Sequence, residues 1–362
     1  MNNKSLPQES PDPLLFRLQR ANPFRTSFTR CGGPPTSPGG PLPGPKVTGL
    51  LTFLFRRLIL LVPVLLIVTV LISSLLYFSP GDPVQVMLGL RANPEAVASI
   101  RAELGLDKPA HVRYFIWLSN VAQGNLGRSL QRNEKVVDLI AETLVPTLEM
   151  TFFAVLLSVV LSLPIGVVSA VKANSWVDHL LSFFSLFWVS MPGFWVAIMA
   201  LLLLSMHWGL FPISGRGGPI WTLEGLHYLL LPGIILGIRQ VAIISRLIRA
   251  GMLEILTADY VRTARSKGLS ERVVLYKHAL RNAMIPTVTI FGVQIPEFLS
   301  LAVIIETVFA WPGTGQMLVD AVLKRDYTLV QGIVLIYTLL VIVMNLVVDM
   351  LYAYIDPRIK HE

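Results

Sequence analysis

Asp259-Tyr-Val-Arg-Thr-Ala-Arg-Ser-Lys-Gly268-Leu-Ser-Glu-Arg-Val-Val-Leu-Tyr-Lys-His-Ala-Leu-Arg-Asn-Ala-Met-Ile-Pro286 is the stretch around which the rest of the chain arranges itself. Leu253, Leu256, Tyr260 and Ala264 recur at three- and four-residue steps and predict one face of a helix before Gly268. After it, Ser270 is placed to cap a second helix, with Glu271 in its first turn and Val273, Tyr276 or Lys277, and Leu280 continuing an apolar face. The glycine between them permits the sharp reorientation that a side chain resists. Pro286 marks entry into a long apolar run. Two short helices with a tight elbow make either a compact docking knob or an amphipathic pair lying on lipid headgroups.

The apolar runs on both sides set the medium in which this elbow works. Of 362 residues, 53% are apolar and 14% charged, against about 25% charged in soluble domains. The composition predicts an integral membrane protein and excludes global disorder, a disulfide scaffold and a coiled coil. Leu58 to Phe78 is 21 residues without a charge, long enough to cross the hydrocarbon core and too long for a signal peptide. Further spans are expected at about 148–171, 180–206, 226–248, 285–310 and 329–355. Pro164, Pro192, Pro232 and Pro296 fall within or near them, and neighbouring helices tolerate this.

The net charge of +8 has a location. Through Arg57 the chain holds eight basic and two acidic residues, and segment 249–283 holds seven and three. Segment 80–143 balances seven with seven, and 207–225 and 311–328 also sum to zero. Six spans put both positive segments on one side, which the positive-inside rule makes cytoplasmic together with both termini. Residues 1–48, with ten prolines, read as a disordered Pro/Gly-rich tail, followed by a first transmembrane helix within 49–79. Segment 80–143 carries two helical patterns, one opened by Asn93-Pro94-Glu95 and one over Ala110–Ala122. It reads as a small extracytoplasmic helical cap that either meets a partner or braces the bundle. The core is expected over 144–356.

Two charges fall near the middle of predicted spans, Arg239 and Glu297. A charge at the bilayer centre costs about 2.5–3.5 kcal/mol on insertion scales, so each should face protein or water. They either pair with one another or make separate contacts to a solute path. Glu149, Glu306 and Asp349 lie nearer span ends, and Trp311-Pro312-Gly313-Thr-Gly315 reads as an interfacial aromatic anchor plus a turn. No G-x-x-x-x-G-K-[ST] loop, H-E-x-x-H or G-x-S-x-G is present, and the single Cys31 and six scattered histidines predict no metal site. The basic run lacks the aromatic interleaving of a base-stacking surface, so nucleic acid is not expected as a partner. The chain is read as non-catalytic.

The elbow resembles the EAA loop, here 249–284, of permease subunits of binding-protein-dependent ABC importers. Thr263-Ala264 falls near that family's paired alanines, Gly268 on its glycine, and Met284-Ile285-Pro286 on its closing proline; threonine at the first of these positions is a departure. Ser79-Pro-Gly-Asp-Pro83, Leu104-Gly-Leu-Asp-Lys-Pro109, Gly124-Asn-Leu-Gly127, Pro146-Thr-Leu148 and Glu306-Thr-Val-Phe-Ala-Trp-Pro-Gly-Thr-Gly315 narrow the likeness to the dipeptide/oligopeptide/nickel class, over about 50–358. The resemblance implies six helices of the type I importer fold in a bacterial cytoplasmic (inner) membrane. Its implied partners are a homologous second permease (a heterodimer), two ABC ATPase subunits holding ATP and Mg, an extracytoplasmic solute-binding protein and a peptide-like solute, with nickel or glutathione as alternatives. It assigns ATPase coupling to Asp259, Tyr260, Arg262, Thr263, Ala264, Arg265, Gly268, Leu269, Ala279, Arg281, Asn282 and Pro286, with Arg262, Arg265 and Arg281 offered to acids on the ATPase. Glu306, Trp311, Pro312, Gly313 and Gly315 form its periplasmic signature. An ion-gradient-driven transporter is a weaker reading, because no internal repeat relates 50–206 to 226–355, and a membrane hydrolase lacks its nucleophile.

Overall fold

A computed structural model describes residues 61–74, 93–103 and 107–355, together with 59 and 84. The expected tail and most of segment 75–92 lie outside the described residues. Among those described the architecture is helical, apart from one isolated bridge between Arg128 and Lys135. The helices are α1 (Leu61–Ser74), α2 (Pro94–Glu103), α3 (Ala110–Ala122), α4 (Val136–Val171), α5 (Trp176–Ser190) and α6 (Gly193–Ala200, extended by a π-helical turn Leu201–His207). They continue with α7 (Leu223–Leu256), α8 (Asp259–Ser266), α9 (Glu271–Val273, extended by a π-helical turn Val274–Leu280), α10 (Arg281–Val308), α11 (Thr314–Leu323) and α12 (Tyr327–Ile355). Four helices, α4, α7, α10 and α12, are long and apolar enough to cross a membrane, and a fifth crossing is available if α5 and α6 count as one.

That pair departs from the single span expected over 180–206. Pro192 has no amide hydrogen to donate, and Met191 before it is driven to an extended conformation (φ −84°, ψ 133°). Helix α5 therefore ends, and α6 leaves at 103° to it. The start of α5 is tied by Asp178 to Arg249 near one end of α7. Beyond α6, Gly215 N–H donates to Phe309 O (3.0 Å) and Arg216 pairs with Glu149 (2.6 Å), toward the other end. By contrast, Pro146 and Pro164 sit inside α4, Pro232 inside α7, and Pro286 and Pro296 inside α10 without ending them.

Helix α7 is the most enclosed of the long helices, lying between α4, α5 and α10. Three apolar clusters follow one another along the bundle. One joins Met150, Leu236, Phe298 and Trp311, one joins Ile248, Met252, Ala279 and Ala283 beside the elbow, and one joins Val136, Leu139, Met317 and Ile333. Three buried hydroxyls in the helices are turned back on their own backbone: Ser158 donates to Val155 O (2.7 Å), Ser245 to Ala242 O (3.1 Å) and Thr287 to Ala283 O (3.2 Å). An apolar medium offers these groups no water, and the local bonds remove that need.

Asp326, 1% exposed, opens α12 and holds the 129–131 loop to it. Leu329 N–H donates to its Oδ1 (3.2 Å) as an N-cap bond, Leu130 N–H to Oδ1 (3.1 Å) and Gln131 N–H to Oδ2 (3.3 Å), and the Ser129 hydroxyl donates to Oδ2. Replacing Asp326 by Ala orphans four donors at about 1–3 kcal/mol for each that stays buried. Thermal unfolding of the purified chain in detergent is expected to show a large loss of stability for Asp326→Ala and a smaller one for Asp326→Asn, which keeps one acceptor. Equal stability of all three would contradict this role.

Candidate functional site: the elbow and its two supports

Helix α8 ends in a Schellman motif: Gly268 N–H donates to Arg265 O (2.9 Å), and Leu269 N–H reaches Ala264 O (3.4 Å). Gly268 stands at φ +74° with open space where a Cβ would lie, so backbone conformation and not crowding requires glycine there. The turn is closed on its outer side by Arg265, whose Nη2 and Nε donate to the Glu271 carboxylate at 2.7 and 3.2 Å. Inside, Val261, Ala264 and Val274 form a small buried cluster against Ile255.

Several expectations for this segment change. The buried face before the elbow runs through Val261 and Ala264, while Tyr260 is 42% exposed, because α7 stops at Leu256 and α8 restarts the helical phase. After the elbow the buried residues are Val274, Ala279 and Ala283, and Val273 and Tyr276 are exposed. The π-helical turn adds a residue to one turn and rotates the face by that amount. Ser270 makes no side-chain cap bond. Pro286 begins the apolar part of α10 but does not separate it from the turns before it. Arg265 pairs with Glu271 on the exposed side of the elbow, and Ala264 faces the elbow's own core.

The outward surface comprises Asp259, Arg262, Thr263, Leu269, Arg281, Asn282 and Pro286, with Tyr260 accepting a hydrogen bond from Asn282 Nδ2 (2.9 Å). Arg262 lies 3.6 Å from Asp259, both well exposed, and Ala279 is buried beneath. Arg265 holds the Glu271 carboxyl below its ordinary pKa, and Glu271 raises that of Arg265. With the carboxyl depressed in the folded chain, the contribution of this contact is present above the ordinary carboxylate range and is lost as pH falls through the lowered value.

Sequence reasoning missed the support beneath the elbow. Asp178, 2% exposed in the first turn of α5, receives both Nε and Nη2 of Arg249 from α7 at 2.7 Å each. Ser169 Oγ (2.5 Å) and Asn174 N–H (3.0 Å) complete it. This bidentate pair fastens the α4–α5 turn to α7 just ahead of the elbow. The partners are 71 residues apart, and no local period signals them.

At the opposite end the signature residues meet in one buried knot. The Glu306 carboxylate, fully buried, accepts from Thr147 Oγ1 (2.6 Å), Gly315 N–H (2.7 Å) and Gln316 N–H (3.0 Å), the last two from the first turn of α11. Trp311 is fully buried and donates from Nε1 to Pro146 O (3.0 Å), which replaces the expected interfacial anchor with an internal strut. Gly313 packs so near the Glu306 carboxyl that any Cβ would overlap it, while Pro312 is exposed. Arg239 and Glu297 are brought together, Nη1 donating to Oε1 at 2.9 Å. Among the described residues no three His, Cys, Asp or Glu side chains converge as metal ligands.

A family model described as "Binding-protein-dependent transport system inner membrane component" matches residues 162–361, and its N-terminal counterpart matches 50–151. The chain is 42% identical over 335 residues to the di/tripeptide transport system permease protein DppB of Pseudomonas aeruginosa, covering 86% of this chain and all of that one. It is 38% identical over 313 residues to the glutathione transport system permease protein GsiC of Salmonella paratyphi A, again covering 86% of this chain and all of the other. Among solved structures, an inward-facing MetNI methionine ABC transporter chain aligns with TM-score 0.51 at 18% identity, covering 61% of this chain and 97% of that chain, which speaks to fold alone.

Glu306→Ala is expected to lower the thermal unfolding temperature of the purified chain strongly, since it leaves the Gly315 and Gln316 amides unmatched at about 1–3 kcal/mol for each that stays buried. Glu306→Gln, retaining one acceptor oxygen, should lose less; identical melting of both would contradict the knot. For the elbow, the protection factors of the amides around residues 267–270, that is exchange rates taken relative to the intrinsic rate at each pH, should fall as Glu271 is protonated in acid, and this loss of protection should be absent in Arg265→Gln. A pH response that survives Arg265→Gln would assign it elsewhere.

Proposed function

Because the chain belongs to the family of binding-protein-dependent transport system inner membrane components, we propose that it is the permease subunit of an ATP-driven importer of di- and oligopeptides. The observation that carries this reading is the elbow: an exposed knob, bonded internally, that joins the ends of α7 and α10. In this proposal two cytoplasmic ATPase subunits, which hold ATP and Mg, grip the knob. Their closure moves it as a rigid piece, α7 and α10 carry the displacement into the bundle, and the Asp178–Arg249 pair passes it to the α4–α5 turn.

The remaining proposals follow from charge and from the paths of the helices. Six crossings are assigned to α1, α4, the bent α5–α6 pair, α7, α10 and α12, with both termini cytoplasmic. The excess of basic residues through Arg57 and over 249–283 supports that orientation. Helices α2 and α3 and the Glu306 knot then face outward, where a solute-binding protein delivers its cargo. A homologous second permease completes the path. Peptide cargo is supported by the name of the DppB relative. Glutathione is the second reading, from the GsiC relative.

Vesicles containing the chain with its second permease, ATPases and binding protein are expected to accumulate a dipeptide only with ATP, unaffected by a proton ionophore. Uptake driven by an ion gradient without ATP would contradict the proposal. Gly268→Val forces a β-branched residue into a left-handed conformation at about 1–2 kcal/mol. It should abolish uptake while the chain still inserts in the membrane, and solute-stimulated ATP hydrolysis at the normal level in that variant would count against the coupling role.

A further inference from the structure

Glu297 is the middle residue of the 23-residue apolar stretch Pro286–Val308, and Arg239 stands midway along the 34 residues of α7. Their contact belongs to a wider network. Gln240 Nε2 donates to Glu297 Oε2 (3.1 Å), and Gln294 Nε2 donates to Gln240 Oε1 (3.4 Å). Gln240 is fully buried and anchors the network from the protein side. Its ionic half is open: the side chains of Arg239 and Glu297 are 38% and 31% exposed. The Nε of Arg239 is buried without an acceptor. Arg246, two helical turns along the same face of α7, is exposed and unpaired among the described residues.

Lipid cannot border such a face, because charged groups at mid-membrane turn to protein or water. A protein surface lying over it would have to bring an acid to offset Arg246, whereas a water-filled path needs none. The chemistry of an occupant follows from the pair itself. A lone anion or cation entering here displaces one member and leaves a charge unmatched. A solute with a free ammonium and a free carboxylate exchanges partners with the pair at constant net charge. Its carboxylate takes the guanidinium of Arg239 in place of Glu297, and its ammonium takes Glu297.

We propose that Arg239 and Glu297 form a binding site for zwitterionic solute inside the translocation path, with Gln240 and Gln294 holding the carboxylate of Glu297 in place. This rests on the importer reading and adds to it a site in the permease itself that recognises the two termini of a peptide.

Val293, 66% exposed and one turn before Glu297 on α10, gives a reporter position. In a Cys31→Ser chain, Val293→Cys is assembled with the second permease, ATPases and binding protein in vesicles and treated with a small, charged, water-borne thiol reagent. The introduced thiol is expected to react, and its rate to fall several-fold while dialanine is taken up, but not with N-acetyl-dialanine amide. Glu297→Gln should lose the protection, and the charge-swapped Arg239→Glu/Glu297→Arg chain should regain it. Assembly of each variant is read by co-purification of the ATPases. A thiol out of reach of the reagent, protection indifferent to Glu297→Gln, or a swap that assembles without regaining protection would each overturn the site. If the Val293→Cys chain takes up dialanine with ATP, such results fall on the site alone; if no preparation shows ATP-dependent uptake, the importer reading itself fails.

Discussion

A carboxylate carried into an apolar helical bundle has to find its partners within the protein, and the way four of them do so organises this chain. Glu306 takes the first-turn amides of α11 and the Thr147 hydroxyl. Asp326 caps α12 while gripping the 129–131 loop. Asp178 receives the guanidinium of Arg249, and Glu297 that of Arg239. Each contact joins segments distant in sequence, so together they set how the helices lie against one another. Apolar packing alone is weakly specific where lipid is as apolar as the side chains. Directional bonds supply the register that packing leaves open.

The distribution of these contacts along the bundle matters for coupling. The Glu306 knot stiffens the end where α10 turns into α11, and the Asp178 pair stiffens the end that carries the elbow. Between them the Arg239–Glu297 contact is the half-open one. On the proposed coupling role, a displacement applied at the elbow would enter through a braced junction and reach a middle that retains exposed polar groups. The elbow is itself a braced part, with a glycine in the left-handed region, a small apolar centre and an ion pair across its outer side.

Much of this was legible in the sequence, and what was not shares one physical cause. Apolar run lengths announced the long helices, and Gly268 between two helical patterns announced the elbow, because both signals are local. The meeting of Arg239 with Glu297 could be posed from their depth in consecutive spans, since each needed a partner or water. The Asp178–Arg249 and Asp326–Ser129 contacts could not, because tertiary approach leaves no period behind. Trp311 at a span end carries the pattern of an interfacial anchor, and its indole N–H instead meets the backbone carbonyl of Pro146 inside the bundle, a contact that composition does not reveal. The break at Pro192 and the shifted face after Val274 show the converse. Proline and a π-helical turn change the geometry locally, while Pro146, Pro164, Pro232, Pro286 and Pro296 lie inside helices that continue through them.

The claim on which the account turns is that the elbow is the surface held by the ATPases, and contact measured site by site tests it most directly. In a Cys31→Ser chain assembled with its partners, a single thiol at Leu269→Cys on the elbow and another at Trp221→Cys, an exposed position at the opposite end, are offered a short bifunctional thiol reagent. The account predicts a cross-link to an ATPase subunit from position 269 and none from position 221. An ATPase adduct from position 221, or its absence at position 269 in an assembled and active complex, would contradict it.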